Sequence, residues 1–249
     1  MPQATIKNVN HGVGRIGGAG NQGIYDESST AKHNLGEKLE FSDGRIFRYA
    51  SFAAAVGAGL VVSQDISATA IAVADGKLTA ASAGATSVIY TDSGTVGSAT
   101  ADQYAGGYLH TEDDAGEGYC YRIKSNTAAS SNAVTFTLFD PLQVAVTTAT
   151  DTVFTGNLYN QLIAADGADD CLPAGITPIS FTSGYYGWIQ TRGIATVLSD
   201  GTPAAGSNVM MSDSVDGSVE VADQSHATIG YATSVGTNTG YLGINIQLD

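Results

Sequence analysis

The sequence predicts an all-β protein, and three observations carry that prediction. Glycine fills 31 of 249 positions, in a background rich in Ser, Thr and Ala and poor in long helix formers. Short stretches alternate apolar and polar residues with period two, which gives a strand two different faces. Turn signals separate those stretches at roughly ten-residue intervals, the rhythm of a small barrel or sandwich. Hydrophobic residues make up 43% of the chain, enough to bury a sizeable core without covalent staples.

The elements follow in order. Residues 1–38 are polar, Gly-rich and aperiodic, and "NHGVGRIGGAGNQG" has no face to bury. They are expected to form an extended N-terminal arm, ordered only where its own body or a neighbour holds it. Within it, "ATIKNVN" (4–10) is the best candidate for adding a strand to a sheet edge, which makes Ile6, Lys7 and Val9 candidate interface residues. Ser42-Asp43-Gly44 is a tight turn, after which Arg45, Phe47 and Tyr49 alternate with Ile46 and Arg48 to give one buried and one wet face. Gly57 and Gly59 interrupt the chain before a short strand at Leu60-Val61-Val62.

Short strands continue around Asp75-Gly76 and Gly84. Thr100 and Gln103 have capping-box spacing, which predicts one helical turn. Tyr108–His110, then Tyr119–Lys124 across "DDAGEG", read as a hairpin with Tyr119, Tyr121 and Ile123 on one face. Val134–Leu138 and Val144–Thr148 are the next strands, and 157–175 reads as a linker. Ile244, Ile246 and Leu248 alternate as a last strand. "GAGLVVSQD" (57–65) echoes "GSNVMMSD" (206–213), either as two equivalent strand entries in one pseudo-symmetric β domain or as chance in a low-complexity composition.

"TSGYYGWIQTRGIATVLSDG" (182–201) holds the single tryptophan. Strand alternation puts Tyr186 and Trp188 on one face, Tyr185 and Gly187 on the other. A sugar platform needs exposed, coplanar rings, whereas a lone Trp on an apolar strand is a core anchor. We therefore expect Trp188 in the core, with Tyr185 and Gln190 nearer to an interface.

The formal charge is −14, with 24 acids against 10 bases, which argues against nucleic-acid and anionic-membrane partners. Residues 1–20 contain no apolar stretch of the secretory kind, so synthesis in the cytoplasm is expected. Cys120 and Cys171 are too few for a disulfide framework, and a single bridge or two idle thiols both remain open. His11, His33, His110 and His226 lack metal-ligand spacing. Nucleophile-elbow, P-loop and dinucleotide fingerprints are missing. Three acidic turns, at 110–118, 165–170 and 212–220, could offer oxygens to Ca²⁺ but do not follow the EF-hand order. No catalytic residue, cofactor or metal is therefore expected.

The series "DGRIFRYA" (43–50), "QYAGGYLHTEDDAGEGYCYRIKSN" (103–126), "TLFDPL" (137–142), "GYYGWIQTRGIATVLSDGT" (184–202) and "IGYATS" (229–234) resembles a group of virion structural proteins of tailed bacteriophages. The final part is similar to capsid decoration, or cement, proteins. The resemblance implies a non-enzymatic protein on the capsid exterior, partnered by the major capsid protein and by itself as a homotrimer. It also implies a β-sandwich or β-tulip-like decoration body, 39–65 with 176–249, with a small β-barrel module inserted at 66–175. A carbohydrate-binding or host-adhesion β module is the alternative.

Overall fold

The computed structural model describes residues 22–64, 76–92, 95–166, 172–223 and 227–249. The protein is all-β, and among the described residues a single 3₁₀ turn, Thr95–Ser98, accompanies sixteen strands. The chain divides into two compact units, Met1–Asp65 with Leu158–Asp249, and Ile66–Asn157.

The first unit opens with β1 (Lys38–Glu40) and β2 (Ile46–Ser51), an antiparallel pair with Leu39 opposite Phe47. Their turn is the predicted one: Gly44 has φ 87°, and its N–H donates to Phe41 O while Phe41 N–H donates to Arg45 O. The expected wet face of β2 is absent. Phe47 and Tyr49 pack into one core group with Trp188, whereas Ala50 and Phe52 pack into another with Ile189. Both faces are covered, and only Arg48 stays half-buried, because its charge is paired at the surface. β3 (Val61–Gln64) follows and is buried throughout.

The second unit is a closed six-stranded antiparallel barrel. Its strands are β4 (Gly76–Leu78), β5 (Ser87–Thr91), β6 (Tyr108–Asp113), β7 (Cys120–Asn126), β8 (Ala133–Leu138) and β9 (Asp151–Thr155). They close in the order β4-β5-β8-β7-β6-β9. Alternation fills the interior: Val134, Phe136 and Leu138 point in from β8, and Phe154 meets Tyr104 and Tyr90 edge to face at 4.5 and 5.0 Å. Thr100 N–H is capped by Gln103 Oε1 at 2.8 Å, yet the chain makes hydrogen-bonded turns there rather than a helix. The strand expected at Val144–Thr148 is a single bridge, Val146 to Ala81. Thr147 and Thr150 close a turn on each other, so the strand starts only at Asp151.

The barrel ends at Asn157 rather than 175, because the stretch that reads as a linker supplies body strands. β10 (Leu162–Ala164) and β11 (Pro173–Ile176) both pair with β3. The body is completed by β12 (Tyr186–Leu198), β13 (Asn208–Met211), β14 (Val219–Val221), β15 (Thr228–Ala232) and β16 (Tyr241–Gln247). Hydrogen bonds run continuously through β10-β3-β11-β12-β16-β15-β13-β14, with β1 and β2 joined to β12.

That order is a repeat. β10-β3-β11-β12 and β14-β13-β15-β16 are the same four strands in the same arrangement, and their fourth members pair with each other. The registers coincide residue by residue. Ala164 opposes Val62 as Val221 opposes Val209, and Ile176 opposes Gln190 as Tyr231 opposes Asn245. β11 bulges at Ala174 against β3, and β15 bulges at Ile229 against β13, each just before a glycine, Gly175 or Gly230. A Cβ on Gly175 would press on Gln190 O, and one on Gly230 on Asn245 O.

β12 serves both repeats. Its first half pairs with β2 from Tyr186↔Ser51 to Gln190↔Phe47. Its second half plays the part of β2 for β16, from Tyr241↔Leu198 to Asn245↔Ile194. The turn bonds repeat as well: Gly184 N–H donates to Phe52 O as Thr239 N–H donates to Ser199 O, and Gly184 and Thr239 share positive φ, 79° and 58°. The echo at 57–65 and 206–213 is thus equivalence, two residues out of step. Gly59 corresponds to Gly206, each donating N–H to the matching carbonyl, Thr177 or Ala232. The barrel occupies the β3–β10 connection, where the second repeat has only Ser212–Ser218.

Candidate functional site

Trp188 sits on the first half of β12 and is 1% exposed. Its ring lies 5.1 Å from Tyr49 and 4.9 Å from His33, and its Nε1–H donates to Gln22 O at 2.9 Å. Gln22 also accepts from the Tyr49 hydroxyl at 2.6 Å and donates to Asp26 O and Tyr186 O. Burial pushes the Tyr49 hydroxyl above its ordinary pKa. The chain from Gln22 onward is therefore pinned to the body by the aromatic cluster, so the polar segment before β1 is held where it passes Trp188. No face of the indole is open to a sugar. Tyr186, half-buried, stacks on Tyr49 at 6.4 Å.

The remaining predicted interface residues fall into three places. Ile6, Lys7 and Val9 lie outside the described residues. Tyr185 is half-buried, and its carbonyl accepts from Phe52 N–H. Gln190 is 6% exposed. It lines a cleft of about 350 Å³ bordered by Ile176, Ile194, Thr196, Tyr25 and Tyr241. Sequence reasoning missed these neighbours. Tyr25, Ile194 and Tyr241 are the exposed large side chains of the cleft, at 60, 58 and 56%. Arg45 adds a guanidinium, 5.0 Å from the Phe41 ring centre and paired with Asp43 at 2.8 Å.

The floor of the cleft is a strand edge. β12 alternates its main-chain bonds, as an antiparallel strand must. Leu198 N–H donates to Gly59 O, away from β16, so the main-chain groups of Thr196 and Ile194 face that same outer edge. Among the described residues no strand pairs with this edge between Gly193 and Val197. Gln190 covers part of it: its Nε2 donates to Arg192 O at 2.9 Å and Ile194 O at 3.0 Å. In the first repeat the corresponding edge of β2 is occupied by β1. Arg45 O, the counterpart of Arg192 O, accepts from Phe41 N–H at 2.9 Å, and Phe47, the counterpart of Ile194, faces Leu39. The Gln190 amide thus sits where the N–H groups of an added strand would sit.

The acidic turns are otherwise engaged. The Thr147 hydroxyl, 2.7 Å away, holds the Asp114 carboxyl below the usual carboxylate range. Burial raises Glu220, which accepts from Asp213 N–H. The turn at 165–170 lies mostly outside the described residues. Among the described residues no three His, Cys, Asp or Glu side chains gather as a metal site would require, and no helix is long and apolar enough to cross a membrane. Fold and cleft together define an all-β protein whose accessible chemistry is an aromatic-bordered strand edge. No family model, curated protein or solved structure matches the chain.

Proposed function

We propose that the chain is a non-enzymatic structural protein of a tailed-bacteriophage virion, bound in many copies to the capsid exterior as a decoration, or cement, protein. The observation that carries the reading is where the resembling motifs fall. "DGRIFRYA" is the first turn and β2, "GYYGWIQTRGIATVLSDGT" is β12, and "IGYATS" is most of β15. These three motifs supply the frame of the body, while "QYAGGYLHTEDDAGEGYCYRIKSN" and "TLFDPL" fall on β6, β7 and the end of β8 in the barrel. A scaffold that spans capsid subunits gains from such a frame, because many modest symmetric contacts add through avidity on a lattice. Its partners are then the major capsid protein and further copies of itself as a homotrimer. The buried Trp188 indole lends no support to the alternative, a carbohydrate-binding or host-adhesion module.

The test is cryo-electron microscopy of the source particle, with purified protein added to expanded capsids that lack it. The expected result is ordered copies on the outer shell and saturable binding. A chain that stays monomeric and never binds expanded capsids would overturn the reading.

A further inference from the structure

We propose that the edge of β12 at Gly193–Val197 is a strand-acceptor site, filled by the chain's own residues 4–10. The inference stands independently of the virion reading and rests on the internal repeat. The two repeats have equivalent outer edges, on β2 and on the second half of β12. In the first repeat, Lys38–Glu40 adds to that edge, with Leu39 buried at 1% between two charged residues. In the second repeat the place is empty among the described residues, and the cleft marks it. Gln190 supplies two of the missing donors with one side chain. The outward N–H groups of Ile194 and Thr196 remain available to a strand that replaces or extends that cover. Main-chain bonds of this kind recur wherever an extended peptide adds to a sheet edge.

Two features select the occupant. Thr5-Ile6-Lys7 sets one aliphatic residue between polar ones, as Lys38-Leu39-Glu40 does. The tether is short. The described chain begins at Gln22, three residues before Tyr25 in the cleft wall. Residues 11–21 can span at most about 36 Å. That reach gives an effective concentration on the order of millimolar, above any micromolar concentration of second copies.

The test uses the full chain with Cys120→Ser and Cys171→Ser. Single cysteines are placed at Thr5, Ile6, Lys7 and Asn8 in turn, each combined with Ile194→Cys, or with Val235→Cys as a control on an exposed loop. Under mild oxidation at micromolar protein, at least one arm position is expected to form an intrachain disulfide with Ile194→Cys, at least tenfold faster than with Val235→Cys. Thr196→Pro removes an outward N–H without touching the β16 ladder, and proline is tolerated on that side of an edge strand. It is expected to cut the Ile194→Cys cross-link rate at least tenfold while the melting temperature stays within a few degrees. Equal rates at Ile194→Cys and Val235→Cys, no cross-link at all, or cross-links only between chains would overturn the proposal. Should Thr196→Pro unfold the protein, the comparison of the two cysteine partners decides alone.

Discussion

At the scale of single residues, Trp188 and Asp249 do the most identifiable work. Trp188 fills the space between Tyr49 and His33 and donates to Gln22 O, so truncation leaves both a cavity and an orphaned carbonyl. Trp188→Ala is expected to cost about 3–5 kcal/mol in chemical unfolding followed by circular dichroism. Asp249 closes a bidentate pair on Arg48, at 2.6 and 2.9 Å, and accepts from the Thr191 hydroxyl at 2.7 Å. The Arg48 guanidinium, more than any other neighbour, holds its carboxyl below the usual range. A depressed carboxylate adds stability that is full above its unfolded value, near pH 4, and fades as pH falls through the lower folded value. Asp249→Asn is therefore expected to cost about 1–3 kcal/mol at pH 7 and to flatten the fall in stability below pH 4, measured by denaturant midpoints across pH. A mutant whose acid limb matches the parent's would refute the assignment. The core role of Trp188 was legible from alternation on an apolar strand. Its partners were not, because Gln22 and His33 come from a segment with no periodicity.

At the scale of elements, the two repeats solve one packing problem with opposite side-chain sizes. In the first, the Phe181 ring stacks on Phe52 at 4.0 Å and fills the space that a Cβ on Gly187 would need. At the matching positions of the second the sizes are reversed, with Gly236, where a Cβ would meet Pro203 and Ser199, and Leu242, 2% exposed. Large beside small conserves volume, which cores require. Gly187→Leu and Phe181→Gly should each destabilise by roughly 3 kcal/mol or more. Combined, they should recover at least about 1 kcal/mol relative to additivity, read from a double-mutant cycle. Strict additivity would show that the sites do not share a volume. Strands with one buried face, such as β8, could be placed from period two alone. β3, β11 and the first half of β12 are buried on both faces, so alternation weakens there, and 157–175 passes for a linker. The strand expected at Val144–Thr148 failed for a local reason: paired threonines turn the chain before the apolar pattern becomes a strand.

At the scale of the whole molecule, the barrel is an insertion into one connection of a repeated body. The second repeat makes the same connection with Ser212–Ser218, so the body's hydrogen bonding does not require the barrel. Replacing residues 65–157 with a short Gly/Ser linker is expected to leave a cooperative melt and an unshifted Trp188 emission, since the single tryptophan lies in the body. A red-shifted emission would show that the body depends on the insert. The sequence by itself determined the all-β class, the barrel hairpins and the buried tryptophan, because these follow from local alternation and turn chemistry. Only the tertiary structure decided the repeat, the end of the insertion and the open edge of β12. The matched positions are set by hydrogen-bond register and backbone approach, and apart from shared glycines such as Gly59 with Gly206 and Gly175 with Gly230, register leaves little mark on side-chain identity. An unpaired edge is a relation between strands far apart in the chain, so no single stretch of residues encodes it.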